Sequence, residues 1–305
     1  MPSVHVHIAP RQSRGIIAAV ERAGGVIAPP EDADAIVWLD SADAGGLGEL
    51  LERSPARWIQ LPFAGIEEFF AAGVIDSDRT WTCAKVAYGA TCAELALTLI
   101  GVAARSVHRH VLERKWWRGD DATHRRIAGS TAVILGTGGI GTALAEMLVP
   151  LHVRMIGVNR SGASLPHAGS TVTDLASVAG EADWLVVTAA LTPKTRHIVG
   201  ADVLARMKPD AWIINVARGG LVDTDALVSA LERGTIAGAA LDVTDPEPLP
   251  DDHSLWQLPN VVITSHTANT WAMATPELAA MVERNVRAFA AGEPLEGLVD
   301  TKLGY

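Results

Sequence analysis

Two cysteines in 305 residues, Cys83 and Cys92, are too few and too isolated for a disulfide framework or a thiolate metal site. A reducing cytoplasm is therefore the expected setting. No basic stretch offsets the formal net charge of −10, which argues against nucleic acid or an anionic membrane surface as partner. An anionic ligand would depend on local arginines. Long apolar runs are also missing: LALTLIGVAA at 95–104 lies between Glu94 and Arg105 and falls short of the roughly 20 residues that a bilayer requires. The opening MPSVHVHIAP lacks the marks of a signal peptide, and no repeat or low-complexity tract interrupts the chain. What is present, 49% hydrophobic and 20% charged residues, describes a soluble globular protein, long enough for two domains.

Strand-like and helix-like stretches alternate throughout, a pattern that predicts parallel sheets. In the first third VHVHI, AIVWL, RWIQL and TCAKVA read as strands, with RGIIAAVERA and LGELLERS as helices between them. A long helical pattern then runs from about Thr91 to about Glu113, followed by the polar KWWRGDDATHRRIAGS, read as a loop. From Thr131 onward TAVILG, VRMIGVN, DWLVVTA, AWIINVA, AGAALDV and VVITS supply the six strands of a dinucleotide-binding sheet. The closing TPELAAMVERNVRAFAAG has helical spacing and is expected to return to the first domain. The expected architecture is α/β with two doubly wound parallel sheets. A Rossmann nucleotide domain, residues 98–271, is inserted in a smaller flavodoxin-like domain built from residues 1–97 and 272–305.

The most specific local signal is LGTGGIG at 135–141, a G-x-G-x-x-G pattern carried by Gly136, Gly138 and Gly141. It follows an apolar strand and opens the helix IGTALAEMLVPL, which is the context that binding a pyrophosphate needs. The second strand then ends in GVNRSG at 157–162. NAD-binding chains usually place an acidic residue there, about twenty positions past the glycines, to accept hydrogen bonds from the ribose hydroxyls. Here the position holds neutral Asn159, followed by Arg160 and Ser161, donors suited to the 2′-phosphate of NADP.

Ligands of open α/β sheets lie beyond the carboxyl ends of the strands. Three candidates occur there. Arg218 follows IINVA and precedes Gly219 and Gly220, so its guanidinium is expected to leave the strand end unobstructed and to grip a carboxylate with two parallel hydrogen bonds. Glu247 sits in the proline-bounded DVTDPEPLP after Asp242, and His266 ends VVITS. A carboxylate bonded to an imidazole makes a proton donor that works near neutral pH.

In LGTGGIG, INVARGGLVD, LDVTDPEPLP and VVITSHTA, taken in that order, the sequence resembles the D-isomer-specific 2-hydroxyacid dehydrogenases, from about Trp58 to about Ala268. The resemblance implies that Arg218 binds the substrate carboxylate and carbonyl, that His266 exchanges a proton with the carbonyl oxygen, and that Glu247 orients and charges the histidine. It places Asp242 against the nicotinamide amide. It also makes IQLPFAGIE a substrate loop whose Ala64 and Gly65 N–H groups form a second carboxylate clamp. The expected cofactor contacts are Gly136, Gly138, Gly139, Ile140, Gly141, Asn159, Arg160, Ser161, Thr192, Ala217 and Asp242. The cofactor expected is NADP, with NAD an alternative, and family members dimerise through the nucleotide domain. Trp271 is expected to wall the substrate pocket, and Trp116 and Trp117 to cover a subunit interface.

The remaining histidines, His5 and His7 on a strand and His108 and His110 two apart on a helix, lack the spacing of metal ligands, so no metal is expected. Together these signals describe a reductase of a small 2-oxo acid, glyoxylate or hydroxypyruvate first. The alternatives are an NAD-linked relative acting on another acid such as 3-phosphoglycerate, although Tyr305 leaves no room for an appended regulatory domain, and a nucleotide-sensing corepressor-like protein. A formate dehydrogenase would carry glutamine in place of Glu247.

Overall fold

The computed structural model describes residues 3–85, 87–114, 116 and 124–301. Most of KWWRGDDATHRRIAGS before His124, including Trp117, lies outside the described residues. The chain forms two compact units, Met1–Tyr88 with Thr270–Tyr305, and Gly89–Asn269. These divide at Gly89 and Thr270, where the sequence-based division stood at 97/98 and 271/272.

The smaller unit runs β1 (His5–Ala9), α1 (Arg14–Arg22), β2 (Val26–Ile27), β3 (Ala35–Trp38), α2 (Ala44–Glu52), β4 (Trp58–Gln60), α3 (Glu67–Ala71) and β5 (Thr80–Thr82). The larger contains α4 (Gly89–Ala104), α5 (Val107–Glu113), β6 (Thr131–Leu135), α6 (Gly139–Leu148), β7 (Arg154–Val158), β8 (Ser170–Val172), β9 (Trp184–Val187), α7 (Ala201–Leu204), β10 (Trp212–Asn215), α8 (Thr224–Glu232), β11 (Gly238–Leu241) and β12 (Val261–Ile263). Helix α9 (Trp271–Ala291) closes the smaller unit.

Both sheets are parallel throughout. The smaller has the order β2-β1-β3-β4-β5, the flavodoxin-like winding, and the larger β12-β11-β10-β9-β6-β7-β8, a doubly wound nucleotide-binding order extended by one strand. Helices cover both faces of such sheets, so their inner strands are apolar without alternation. TAVIL of β6 and WLVV of β9 are buried at every position. Helix α6 turns Gly141, Leu144, Ala145 and Leu148 to the sheet, the spacing of an amphipathic helix. Helix α4 adds Ala93, Ala96, Ile100 and Ala103 to the same core, beside Ile134 and Leu144, which is why the larger unit begins at the start of this helix.

Two short edge strands, β2 and β8, are absent from the sequence reading, and the last small strand is TWT at 80–82, which shares only Thr82 with the expected TCAKVA. The single helix expected over 91–113 is broken. Its halves meet at 65°, where Ser106 takes a left-handed backbone (φ 48°) that ends the helical hydrogen-bond ladder. Among the described residues no single helix is long and apolar enough to cross a membrane.

A polar network inside the smaller unit ties α9 to the sheet. Trp58 Nε1 donates to Thr82 Oγ1 (2.8 Å), whose hydroxyl donates to Gln60 Oε1 (2.8 Å). The same Oε1 accepts from Asn285 Nδ2 (3.1 Å), while Asn285 Oδ1 accepts from the Glu296 N–H (2.8 Å). Gln60, Thr82 and Asn285 are fully buried, so every bond replaces one that water would have made. Asn285→Ala strips the Glu296 N–H of its acceptor and Gln60 of a donor. The expected cost is about 1–3 kcal/mol for each group left unmatched, read as a lower midpoint of urea unfolding with an unaltered slope. An unchanged midpoint would show that the network adds nothing to stability.

Candidate active site

The order of the larger sheet reverses between β6 and β9, and there the glycine motif lies. Gly136 has φ +100° and sits so close to the end of β9 that an added Cβ would fall 2.5 Å from the Ala189 nitrogen. Gly141 packs under it: a Cβ there would lie 2.2 Å from the Gly136 carbonyl oxygen. Around Gly138 the space is open, and Gly138 and Gly139 are exposed. The first N–H groups of α6, Gly139 to Gly141, have no intrahelical acceptor, as at any helix start. A cradle closed beneath and open above fits the pyrophosphate of a dinucleotide, with Ile140 half-buried at its side.

Asn159 plays a different part from the one its position suggests. Its Nδ2 donates to Thr137 Oγ1 and to the Ala163 carbonyl, both at 2.7 Å, and its Oδ1 accepts from the Ser161 N–H (3.1 Å) and hydroxyl (3.3 Å). Both amide hydrogens are thus spent within the loop. Ser161 Oγ in turn accepts from the Ala163 N–H (3.2 Å). Asn159 shapes the 159–163 turn and ties it to the glycine motif, while Arg160 stands exposed on it.

Strands β10, β11 and β12 are neighbours, and their carboxyl ends lead to Arg218, to Asp242 and Glu247, and to His266. His266 Nδ1 and Glu247 Oε1 lie 2.6 Å apart, with side chains 50% and 40% exposed, and Glu247 Oε2 accepts from the Thr244 N–H (3.3 Å). The pair is close enough to share a proton yet open to a ligand. Arg218 is half-buried, with Nη1 donating to the Ala217 carbonyl (2.7 Å). Buried Asn215 shapes the turn beneath it, accepting from the Ala217 N–H (3.1 Å) and donating to the Arg218 carbonyl (2.9 Å). The two glycines after Arg218 are not there for openness. A Cβ on Gly219 would fall 1.8 Å from the Thr244 carbonyl oxygen, so this glycine lets the β10 turn press on the loop that carries Glu247.

Asp242 is 1% exposed. Its Oδ1 accepts from Thr264 Oγ1 (2.5 Å) and the Thr267 N–H (2.8 Å), and its Oδ2 from the Ala268 N–H (2.9 Å). Its backbone carbonyl takes the His266 N–H (2.8 Å). The carboxylate therefore anchors the segment carrying His266, whose backbone is left-handed at φ 52°. Cys92 of α4 adjoins this cluster. Burial, aided by the Asp242 charge and opposed by Arg218, pushes its thiol up to about 11, so it is neither a ready nucleophile nor a thiolate ligand. Thr192 closes a local turn with Thr195 (Oγ1 to Oγ1, 3.0 Å), and Ala217 is buried.

In the smaller unit, Ala64 and Gly65 follow β4. The loop before them is held by the Tyr88 hydroxyl, which donates to the Pro62 carbonyl (2.6 Å), and by the Ala84 N–H on the Phe63 carbonyl (3.2 Å). Neither the Ala64 nor the Gly65 N–H meets a protein acceptor among the described residues. Trp271 begins α9, its ring 5.7 Å from that of Phe63. The other histidines have local roles: His7 contacts the Ala28 carbonyl, His108 lies edge-on to Trp212, and His110 faces His124 at 3.1 Å. Among the described residues no group of three or more His, Cys, Asp or Glu could hold a metal ion.

The sequence reading missed Asn215, Thr264 and Thr267, which hold the site's backbone. Polar residues at the ends of apolar strands were the available signal. Thr137 carried none, because its partner Asn159 lies 22 residues away.

The profile of "D-isomer specific 2-hydroxyacid dehydrogenase, NAD binding domain" matches residues 97–268. The chain is 42% identical over 257 residues to an uncharacterized protein in the proB 3′ region of Corynebacterium melassecola, covering 82% of this chain and 84% of that one. It is 35% identical over 226 residues to glyoxylate/hydroxypyruvate reductase B of Pectobacterium carotovorum, covering 70% and 69%. Its fold matches, with a TM-score of 0.85 at 27% identity over the whole of both chains, a D-isomer specific 2-hydroxyacid dehydrogenase from Xanthobacter autotrophicus Py2 in complex with NADPH and MES. A glycine cradle at the switch point, an imidazole–carboxylate pair at the strand ends and a match spanning more than half the chain agree: this protein belongs to the D-isomer-specific 2-hydroxyacid dehydrogenase family.

Proposed function

We propose that the chain is a cytoplasmic NADPH-linked reductase that converts a small 2-oxo acid, glyoxylate and hydroxypyruvate first, to the D-2-hydroxy acid. The observation that carries this reading is the 2.6 Å contact between His266 and Glu247, one strand away from the turn that bears Arg218. Bound nicotinamide supplies the hydride. His266, held by Glu247 through Nδ1, keeps Nε2 for the proton delivered to the carbonyl oxygen. Arg218 grips the substrate carboxylate, and the Ala64 and Gly65 N–H groups form the second clamp. In this division of labour residues 89–269 bind the cofactor, residues 1–88 and 270–305 bind the acid, and Trp271 walls the acid's pocket. The name of the Pectobacterium relative and the NADPH of the Xanthobacter structure support the same reading.

NADPH is favoured over NADH because the second strand ends without a carboxylate, and Arg160 is carried on a turn that Asn159 stiffens. A homodimer is the assembly proposed. Val107, Val111 and Leu112 of α5 are exposed together, and Trp116 beyond them is 88% exposed, an apolar surface that a second copy would cover.

His266→Ala should lower turnover by a factor on the order of 100 to 10,000 while cofactor affinity, measured by fluorescence titration, stays near the parent's. Near-normal turnover would remove His266 from proton transfer. Arg218→Lys keeps the charge but loses the planar two-bond grip. Its kcat/KM should fall by the equivalent of roughly 1.5–3 kcal/mol, and a lysine enzyme as efficient as the parent would contradict the clamp.

Arg160→Ala should raise KM for NADPH and spare NADH, and the parent's preference for NADPH should weaken as salt screens the phosphate contact. Initial rates with both cofactors across a salt series measure both effects. A parent that prefers NADH, or a variant equally impaired with both, would refute the phosphate role.

A further inference from the structure

Arg11 follows β1 by two residues, on the carboxyl edge of the smaller sheet beside the order reversal between β1 and β3. Its guanidinium lies 4.4 Å from the centroid of the Trp271 ring. That ring also packs on Phe63, the residue directly before Ala64 and Gly65. Arg11 is exposed, and among the described residues it makes no hydrogen bond and no ion pair. A guanidinium carries five N–H donors, and stacking on an aromatic face leaves its edge donors unspent. Four other arginines of this unit meet carboxylates, Arg22 and Arg287 at Glu283, Arg284 at Glu296 and Arg79 at Asp76, and Arg57 stacks on Phe289 away from this loop. Arg11 is held in place yet unneutralised, one aromatic contact away from a loop with two unspent backbone N–H groups.

We infer that Arg11 recognises a second anionic group on the substrate, so that the enzyme accepts, besides simple monoacids, 2-oxo acids bearing a carboxylate or phosphate at the end remote from the carbonyl. This rests on the reading that the Ala64–Gly65 loop receives the acid. A monoacid has one carboxylate, which the two N–H groups of that loop already account for. A further guanidinium on the same edge then has no ligand unless the substrate brings another anion. The stack on Trp271 limits the rotamer freedom lost when the anion binds, and a charge-assisted two-bond contact discriminates by charge and shape.

The test compares kcat/KM for glyoxylate and hydroxypyruvate with that for oxaloacetate, 2-oxoglutarate and 3-phosphohydroxypyruvate, in the parent and in Arg11→Gln. The carboxylate and phosphate arms show which second anion fits. For the best of the acids with a second anion, the ratio of its kcat/KM to that of glyoxylate should fall at least tenfold in the variant. A ratio unmoved by the substitution would overturn the assignment. An equal loss for every acid would do the same and place Arg11 on the carboxylate that all of them share. If no 2-oxo acid were reduced with either cofactor, the reductase reading would fall by itself. Calorimetric titration of the same acids would then decide Arg11 separately, since the assignment requires tighter binding of the diacid to the parent than to Arg11→Gln.

Discussion

A single buried carboxylate organises the strand exits of the larger unit. Asp242 is almost wholly removed from water, and an ion in that state persists only when hydrogen bonds replace its hydration. Thr264, Thr267 and Ala268 supply them, and all three belong to the stretch around His266. The charge is thereby satisfied, and the loop is fixed at both ends while His266 holds a backbone conformation uncommon for a residue with a Cβ. A carboxylate offers about four lone-pair sites, and short bonds from Thr264, Thr267 and Ala268 fill three of them. What capacity remains lies on Oδ2, so any contact with a cofactor amide would be secondary to holding the loop.

The turns on either side complete the arrangement. Asn215 shapes the exit from β10, Gly219 lets that exit press on the Thr244 carbonyl, and Thr244 passes the constraint to Glu247 through its N–H. Arg218, Glu247 and His266 thus sit on three neighbouring strands whose exits are braced by backbone contacts and buried polar side chains. Half-exposed side chains can keep a defined geometry under these conditions because their main chain has little freedom left.

Features legible in the sequence were those with a strong local cause. Short apolar runs between turns read correctly as parallel strands, and the strand–turn–helix setting of the glycine motif read correctly because its strand and helix flank it directly. The strands β2 and β8 escaped because two or three residues at a sheet edge leave no period to detect. The bend at Ser106 escaped because the apolar pattern continues through it while the backbone does not. The candidate residues divide in the same way. Arg218, Glu247 and His266 stand in distinctive local strings, whereas the internal bonding of Asn159, the anchoring by Asp242 and the stacking of Arg11 on Trp271 join positions up to 260 apart. Contacts of that kind depend on the winding of the sheets, which one sequence does not display.

The winding also accounts for how a chain of net charge −10 can suit anionic ligands. Net charge acts over distances that salt screens within about 8 Å, so the local arrangement of cations decides. Arg11, Arg160 and Arg218 follow β1, β7 and β10 by two or three residues each. Within each sheet the parallel strands all end on one edge, so residues placed just after them lie where that sheet opens. None of the three contributes to an apolar core, and each stands on a turn held by its neighbours. In a parallel fold, an arginine just past a strand is therefore carried to the ligand edge by topology alone.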